Sequence, residues 1–538
     1  MKKTNIIFVV PPAIPIEEFL RDDPTTGWTY PSIPLGILSI ASYVGAYAKD
    51  VDFTILDLSV EISSFINDSN GLSLNDFIKQ QMSDRCKGKS PDIIGISAIF
   101  NSNGGYLHFI SSQAKGLWPD VLVVAGGGLP TNMPEYVFEN APDVDALNIG
   151  EGEKSFLELV LADDRKVYLS SAQGWMTKGR INSTSAAPVI SDLDEIPFLR
   201  YDLIDIKSYQ GYHHQGTEGG KTLAVPIMTS RGCPYRCNFC SSHTVHGRRI
   251  RHYSTNRILA DICRLKEDFN IKNILVEDDL FLGNKKEALQ VLDSISQKNL
   301  TVEFTNGLSV NHIDEEISEA LRSSGVEMAS LAVESGCERV LNEIIHKPYK
   351  KLSRVREVVK LLREKDIYIR AFFVIGFPGE TMEELMETVS FMKDVGFNWC
   401  AVMIATPIAG SELYEYCKKN NLLMSDKEDD FHFGKCSIKL LHSTPEEFEK
   451  LRYLINLEVN FVENYDLKNG HLRLALNGFQ DVINRVPKHA FAHYYSSLCY
   501  NQVKNKELAR ESINKYFKII NASDEWREYA IHFKLPVK

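Results

Sequence analysis

No stretch of about 18 residues in this chain is both apolar and free of charge, so no membrane-spanning helix is expected. Basic charge is not in excess either. The 60 Lys and Arg stand against 71 Asp and Glu, for a formal charge of −11. A broad nucleic-acid footprint wants a basic face, so nucleic acid is not an expected partner. The one dense basic run, "HGRRIRH" (residues 246–252), reads either as solvated or carboxylate-paired charge, or as a site for an anionic group. The apolar run after "MKK" is short, β-branched and broken by prolines. That fits a first buried strand better than a signal peptide. A cytoplasmic location with reduced cysteines is the expectation. Reduced, clustered cysteines more often bind metal or do chemistry than form disulfides.

What is present suggests an ordinary globular chain of 538 residues, with 44% hydrophobic and 24% charged residues. Residues 1–165 alternate strand and helix. "NIIFVVPP", "VDFTILDLSV", "PDIIGISAIF", "VLVVAGGG" and "DVDALNIGEGE" read as five buried strands of a doubly wound parallel sheet. Ligands of such sheets sit at the strands' carboxyl ends. Gly126, Gly127 and Gly128 fall there, as do Gly150 and Gly152. They mark either close approach to a ligand or simply tight turns. Residues 166–220 are irregular and polar, like a linker. Residues 221–420 hold six further strands separated by amphipathic helices, which suggests a partial (β/α)6 barrel with its chemistry at the carboxyl ends. Residues 421–538 turn helical. Ala492, Tyr495, Tyr500 and Ala509 take the packing positions of a tetratricopeptide-like helix pair, a cap or a place for a protein partner. The expected class is therefore α/β with a small α-helical carboxyl-terminal domain.

"SRGCPYRCNFCSSH" contains Cys233, Cys237 and Cys240 in a C-x3-C-x2-C spacing. Three thiolates can hold three irons of a [4Fe–4S] cluster and leave the fourth open to bind a small molecule. Spacing alone leaves zinc open, with His243 completing a Cys3His set. Cys263 falls in an amphipathic helix and is expected to be buried.

These residues resemble the radical S-adenosylmethionine (radical SAM) superfamily. The likeness rests on the arginine-glycine before the first cysteine and on Phe239 before the third. "EDD" (277–279), "FTNG", "VESG" and "GFPGET" (376–381) then follow in order at successive strand ends. The resemblance implies a [4Fe–4S] cluster on Cys233, Cys237 and Cys240. It implies SAM contacts from Phe239, Glu277, Asn306 and Glu334. It also implies an electron donor such as flavodoxin or ferredoxin, and a 5′-deoxyadenosyl radical that abstracts hydrogen from a substrate.

The first domain resembles the cobalamin-binding, Rossmann-like domain that precedes the barrel in one large subfamily. "PLGILSIASYV", "PDIIGIS", "VVAGGGLPT" and "IGEGEKSFLEL" carry the likeness. It implies cobalamin contacts from Leu35, Gly36, Ser97, Gly126, Gly127, Gly150, Glu151 and Gly152. Better-known cobalamin proteins ligate cobalt through D-x-H-x-x-G, and that motif is missing. His108, the single histidine before residue 200, lies in an expected helix, so no histidine below the cobalt is implied. A nucleotide or flavin site, or a sheet that has lost its ligand, are the alternatives. "GGGLPT" is not G-x-G-x-x-G.

The leading expectation is an enzyme that methylates an unactivated carbon of a small molecule, using the cluster, SAM and cobalamin together. The alternatives are a cyclase or ring-rearranging enzyme without methyl transfer and, more distantly, a scaffold protein without cofactors. The intact cysteine triad speaks against the scaffold. No catalytic acid or base can be nominated. Residues 200–220 and the helical tail are candidates to cover the barrel mouth, with His213 and His214 as exposed linker residues.

Overall fold

The computed structural model describes residues 3–13, 31–67, 72–86, 88–181, 185–210, 223–349, 351–425, 431, 435–440 and 443–537. The first sheet contains β1 (Thr4–Val10), β2 (Val51–Asp57), β3 (Ile93–Ser97), β4 (Leu122–Gly126), β5 (Ala146–Asn148) and β6 (Trp175–Met176). Their order is β2-β1-β3-β4-β5-β6. The first five are parallel, and β6 joins antiparallel to β5. Strands covered on both faces should be apolar without alternation. β1 shows why. Ile6 and Phe8 enter one core with Leu38 and Phe156, while Ile7 and Val9 enter another with Leu107 and Ile110. The strand order reverses beside β1, so a crevice opens at the carboxyl ends of β1 and β3.

The segment read as irregular adds more than a connection. It supplies β6, a strand of two residues. Farther on it ties the two sheets together: the Tyr209 hydroxyl donates to Asp57 at 2.8 Å, and buried Tyr201 packs into the barrel-side core. His213 and His214 lie outside the described residues.

The second unit contains β7 (Ala224–Ile227), β8 (Ser230–Arg231), β9 (Arg251–His252), β10 (Asn273–Val276), β11 (Thr301–Phe304), β12 (Met328–Glu334), β13 (Tyr368–Ile375) and β14 (Trp399–Ile404). Six of these form a parallel partial barrel in two halves, β7-β10-β11 and β12-β13-β14. An isolated parallel bridge, Leu308 to Leu331, joins the halves. β8 and β9 pair antiparallel and close the base of the cysteine loop. The core of this barrel is continuous with the β1 core that contains Ile6 and Phe8, so the two units share buried surface.

The helical tail takes a different place from the one expected. Its core gathers Trp399 at the start of β14 with Phe461, Phe479 and Phe491, and Tyr368 at the start of β13 packs against it. These are the amino ends of the strands, opposite the mouth. Ala492, Tyr495 and Ala509 are buried and Tyr500 is half-buried. A lead helix, Pro445–Leu457, runs along β14, and the π-helical turn Glu458–Val462 follows it. The Asn460 side-chain amide then mimics a strand. It accepts from the Cys400 N–H and donates to the Cys400 carbonyl, both at 2.8 Å. An open strand edge is thereby satisfied.

Replacing Asn460 by Leu should leave that backbone pair buried without partners, at a cost of roughly 1–3 kcal/mol per group. Hydrogen exchange at the Cys400 amide should accelerate in Asn460→Leu. Unchanged protection there would show that the edge is held by other means.

Candidate active site between the two sheets

A single cavity of about 1190 Å³ opens between the carboxyl ends of the two sheets. Single-ligand pockets run to about 300–1,000 Å³, so this one exceeds the usual range. Its first-domain wall includes Leu35, Gly36, Ser97, Gly126, Gly127, Gly150, Glu151 and Gly152. Its barrel wall includes Cys233, Cys237, Phe239, Cys240, Glu277, Asn306 and Glu334. Every residue that the resemblance assigns to the cluster, SAM or cobalamin thus lines the same space. His108 is exposed on the helix Gly104–Leu117 and is not among the lining residues.

The glycines have two kinds of reason. Gly127 adopts φ +113°, and a Cβ there would lie 2.5 Å from the Ala98 carbonyl oxygen. A Cβ on Gly128 would meet the Ile99 carbonyl oxygen at 2.5 Å. The end of β4 crosses the end of β3 that closely, so the protein's own backbone demands these glycines. Gly36 differs, because nothing stands within 4 Å of its Cβ position. Nearby, Ile99 is 58% exposed and Phe100 39%, and both line the cavity. Large apolar side chains left open in a concave wall mark a surface that a ligand covers.

The cysteine loop is fastened by the second and third residues of the "EDD" run. Asp278 accepts from the Thr229 N–H at 2.6 Å and from the hydroxyls of Thr229 and Ser230 at 2.5 and 2.6 Å. Asp279 accepts from the Gly232 N–H at 2.9 Å. Glu277 is left to the cavity, and burial without a compensating partner pushes its carboxyl up to about 7. Asn306 spends its amide nitrogen on the Glu277 and Asp278 carbonyls, at 3.0 and 3.3 Å. Glu334 sits at φ +73°, beside a register shift in β12. Such irregularities re-aim a side chain, here into the cavity.

Lys347 went unnoticed in the sequence. It is almost fully buried, lines the cavity and reaches Glu334 at 2.8 Å. Its charge offsets the burial of Cys237, whose thiol burial pushes up to about 11. Cys233 is raised by burial too. Thiolates rather than thiols bind iron, so a cluster held by these cysteines would have to displace their protons. Among the described residues, no three His, Cys, Asp or Glu side chains converge to hold a single metal ion. Zinc would draw four ligands to within about 2.0–2.3 Å of one point, whereas a four-iron cluster spreads its cysteines over separate corners. His243, on the short helix His243–His246, does not line the cavity. Cys263 lies off the cavity as well, and it is half-buried where burial was expected.

The two walls are clamped by buried charge. Arg251 is bidentate on Glu151, at 2.6 and 2.9 Å. Arg231 reaches Glu153 at 2.8 Å and Glu151 at 3.5 Å. The Ser39 hydroxyl donates to Glu153 at 2.5 Å, and His246 Nδ1 lies 3.0 Å from Glu151. Burial alone would raise the Glu151 carboxyl. The hydrogen bonds from His246 and Arg251, with the Arg231 charge, outweigh it and hold the carboxyl at about 2. His246 and Arg251 of the "HGRRIRH" run are thus carboxylate-paired, while Arg248 donates to the Tyr235 carbonyl. Glu151 lines the cavity with its carboxylate already committed.

Comparison with known proteins agrees with this geometry. The radical SAM superfamily profile matches residues 227–392, and the B12 binding domain profile matches residues 28–160. An uncharacterized methyltransferase of Pyrococcus horikoshii is 32% identical over 453 residues, covering 84% of this chain and 91% of that protein. The chain belongs to the cobalamin-binding radical SAM family. Cytidylyl-2-hydroxyethylphosphonate methyltransferase of Streptomyces wedmorensis is 27% identical, covering 74% of this chain and 80% of that protein. An anaerobic magnesium-protoporphyrin IX monomethyl ester cyclase of Rubrivivax gelatinosus is 25% identical, covering 72% and 68%. The fold matches the cobalamin-dependent radical enzyme OxsB with a TM-score of 0.67 at 14% identity, over 98% of this chain and 80% of that one. As a radical SAM enzyme, the chain uses a [4Fe–4S] cluster, SAM and cobalamin. Among the described residues, no helix is long and apolar enough to cross a membrane.

Removing one partner of a buried ion pair costs about 3–5 kcal/mol. Arg231→Met should lower the thermal midpoint sharply and loosen the two units, read as protease sensitivity near Glu153. The Glu151 contribution is complete above its unfolded value of about 4.5. It should be lost as pH falls from there toward 2, because its folded carboxyl is depressed. An Arg231→Met midpoint equal to that of the parent would remove the clamp from this account.

Proposed function

We propose that the enzyme transfers a methyl group from SAM to an unactivated carbon of a small molecule held between the two walls. The observation that carries this reading is the shared cavity: the first-domain loops and the cluster cysteines face one space. When bound, SAM at the cluster supplies a carbon-centred radical and cobalamin supplies a transferable methyl group. Cys233, Cys237 and Cys240 are the cluster ligands in this reading. Phe239, Glu277, Asn306 and Glu334 bind SAM. Leu35, Gly36, Ser97, Gly126, Gly127, Gly150, Glu151 and Gly152 form the cobalamin side, with Glu151 acting there through its clamp. Ile99 and Phe100 cover an apolar ligand face and keep water off it. Two methyltransferase relatives that span most of their length support methyl transfer. The cyclase relative favours a second reading, radical chemistry without methyl transfer.

Anaerobic protein reconstituted with iron, sulfide and hydroxocobalamin, then given SAM and a reductant, separates the two. S-adenosylhomocysteine together with 5′-deoxyadenosine is the expected outcome. Deoxyadenosine alone would favour the cyclase-type reading. Neither product from an intact cluster would overturn both.

Glu277 gives a sharper test of the SAM assignment. An amino group that donates hydrogen bonds prefers an ionised carboxylate. With this carboxyl at about 7, SAM affinity should weaken as pH falls below 7, approaching about tenfold per pH unit, and level off above it. Glu277→Gln should weaken binding and flatten that part of the profile in equilibrium dialysis. An unaltered profile in Glu277→Gln would place the SAM amino group elsewhere.

A further inference from the structure

Lys347 is a buried lysine that the clamp between the walls does not use. Its side chain is 10% exposed, lines the cavity and lies 2.8 Å from Glu334, itself 8% exposed. A buried ion pair is weak ground for stability, because apolar side chains of similar volume often serve as well or better. The backbone is nevertheless bent to place this one. The turn Val340–Ile345 is π-helical, His346 takes a left-handed φ of +61°, and the Lys347 N–H closes back on the Leu341 carbonyl at 2.9 Å. Single π-helical turns gather at functional sites. Two ties hold this one in register with the site. The Tyr349 hydroxyl donates at 2.5 Å to the carbonyl of Val333, the residue before Glu334. The Asn238 N–H, between Cys237 and Cys240, donates to the Ile345 carbonyl at 3.0 Å. Lys347 is therefore held beside the cysteine loop as well as beside Glu334. It interacts electrostatically with Cys233, Cys237 and Cys240, and the opposing carboxylates are Asp279 at Cys233 and Glu334 at Cys237. Burial alone would make its amine shed a proton more readily. Glu334 and the cysteine sulfurs outweigh that and hold it above the ordinary lysine value, so the charge is kept.

We propose that Lys347 sets the reduction potential of a cluster held on these cysteines, its fixed positive charge favouring the reduced state. The proposal rests on the cluster reading of Cys233, Cys237 and Cys240. Reduction moves one electron from an external reductant to the oxidised cluster, with no bond made or broken and no proton in the balance. The centre thereby gains one negative charge in a site that screens it poorly. A nearby cation lowers the cost of that charge and a nearby carboxylate raises it. Lys347 and Glu334 thus pull the potential in opposite directions, and at Cys237 the lysine is the stronger of the two.

The test is a redox titration of the reconstituted full-length protein without SAM, poised with dithionite and mediators at one fixed pH. Electron paramagnetic resonance reads the reduced cluster. In Lys347→Met the one-electron reduction equilibrium should become less favourable by about tenfold or more, which moves the midpoint down by about 59 mV or more. Glu334→Gln should move it up. Lys347→Met/Glu334→Gln should lie below the parent but above Lys347→Met. Lys347→Arg keeps the charge and should stay near the parent. The double variant leaves neither charge buried alone, so it serves where Lys347→Met does not fold. Midpoints equal to the parent in Glu334→Gln and in the variants without Lys347 would overturn the proposal. So would an equal fall in Lys347→Arg and Lys347→Met, because packing rather than charge would then set the potential. Loss of the cluster from every variant would overturn it too, by assigning the pair to cluster assembly. A reduced-cluster signal that survives in Cys233→Ala/Cys237→Ala would sink the cluster reading itself. That failure is distinguishable because it shows before any midpoint is compared.

Discussion

Arg231 lies two residues before Cys233, the first cysteine of the loop, and its guanidinium ends on Glu153, in the first helix after the β5 loop. Arg251 begins the return of the cysteine loop and ends on Glu151 in that same β5 loop. Four buried charges thus join the place where cobalamin is expected to the place where the cluster is expected. Neither wall can shift without separating ions in a medium that solvates them poorly. Chemistry shared between a radical source and a methyl carrier depends on their spacing, and a misplacement of even about 1 Å is costly. A hydrophobic contact would hold the units together as well, but it would permit sliding. Bidentate geometry does not.

The same constraint explains why so much polarity is tolerated near the cavity. A buried pair seldom adds stability by itself, because desolvation offsets its attraction. The chain reduces that cost by satisfying the surroundings. Ser39 donates to Glu153, and the Ile190 carbonyl accepts from Arg251 at 2.6 Å. Asp278, under the cysteine loop, takes three hydrogen bonds, yet burial still pushes its carboxyl up to about 6. Groups with such committed roles are poor ligand contacts. Groups left uncompensated are better ones, and Glu277 is the plainest example.

Much of this was legible locally. The five parallel strands of the first sheet and the six of the barrel announce themselves as short apolar runs. The cysteine loop is legible because its three cysteines fall within eight residues. What escaped was long-range or very short. Arg231 and Glu153 are 78 residues apart, and no periodicity couples them. Lys347 meets Glu334 only because the π-helical turn Val340–Ile345 brings the chain back beneath β12. β6 is two residues long, too short for any alternation to register. The glycines after β4 were legible as special but not in cause. The crossing at Ala98 and Ile99 becomes visible only once β3 and β4 are paired. Cys263 shows the reverse error: an amphipathic helix fixes which face is buried only approximately at its flanks.

The position of the helical tail completes the division of labour between the ends of the barrel. A barrel of six strands that does not close leaves β7 and β14 with unpaired edges, and each edge needs cover. At β14 the cover is the lead helix with Asn460, and this carries the tail to the amino ends of the strands. There Trp399 and Tyr368 anchor an aromatic core that includes Phe461 and Phe479. Asp466, held by Asn398 at 2.8 Å, locks the descent. The tail's aromatic core therefore stiffens the barrel from below; its lead helix reaches the carboxyl end of β13, where Phe448 packs on Gly376, but among the described residues none of the tail lines the cavity. At the carboxyl ends, the space is bounded by the first domain and by the segment around Phe198 and Tyr201. A barrel braced at one end and clamped at the other by buried ions keeps its strand ends fixed. That rigidity lets single side chains such as Glu277 and Glu334 hold their positions before any ligand arrives.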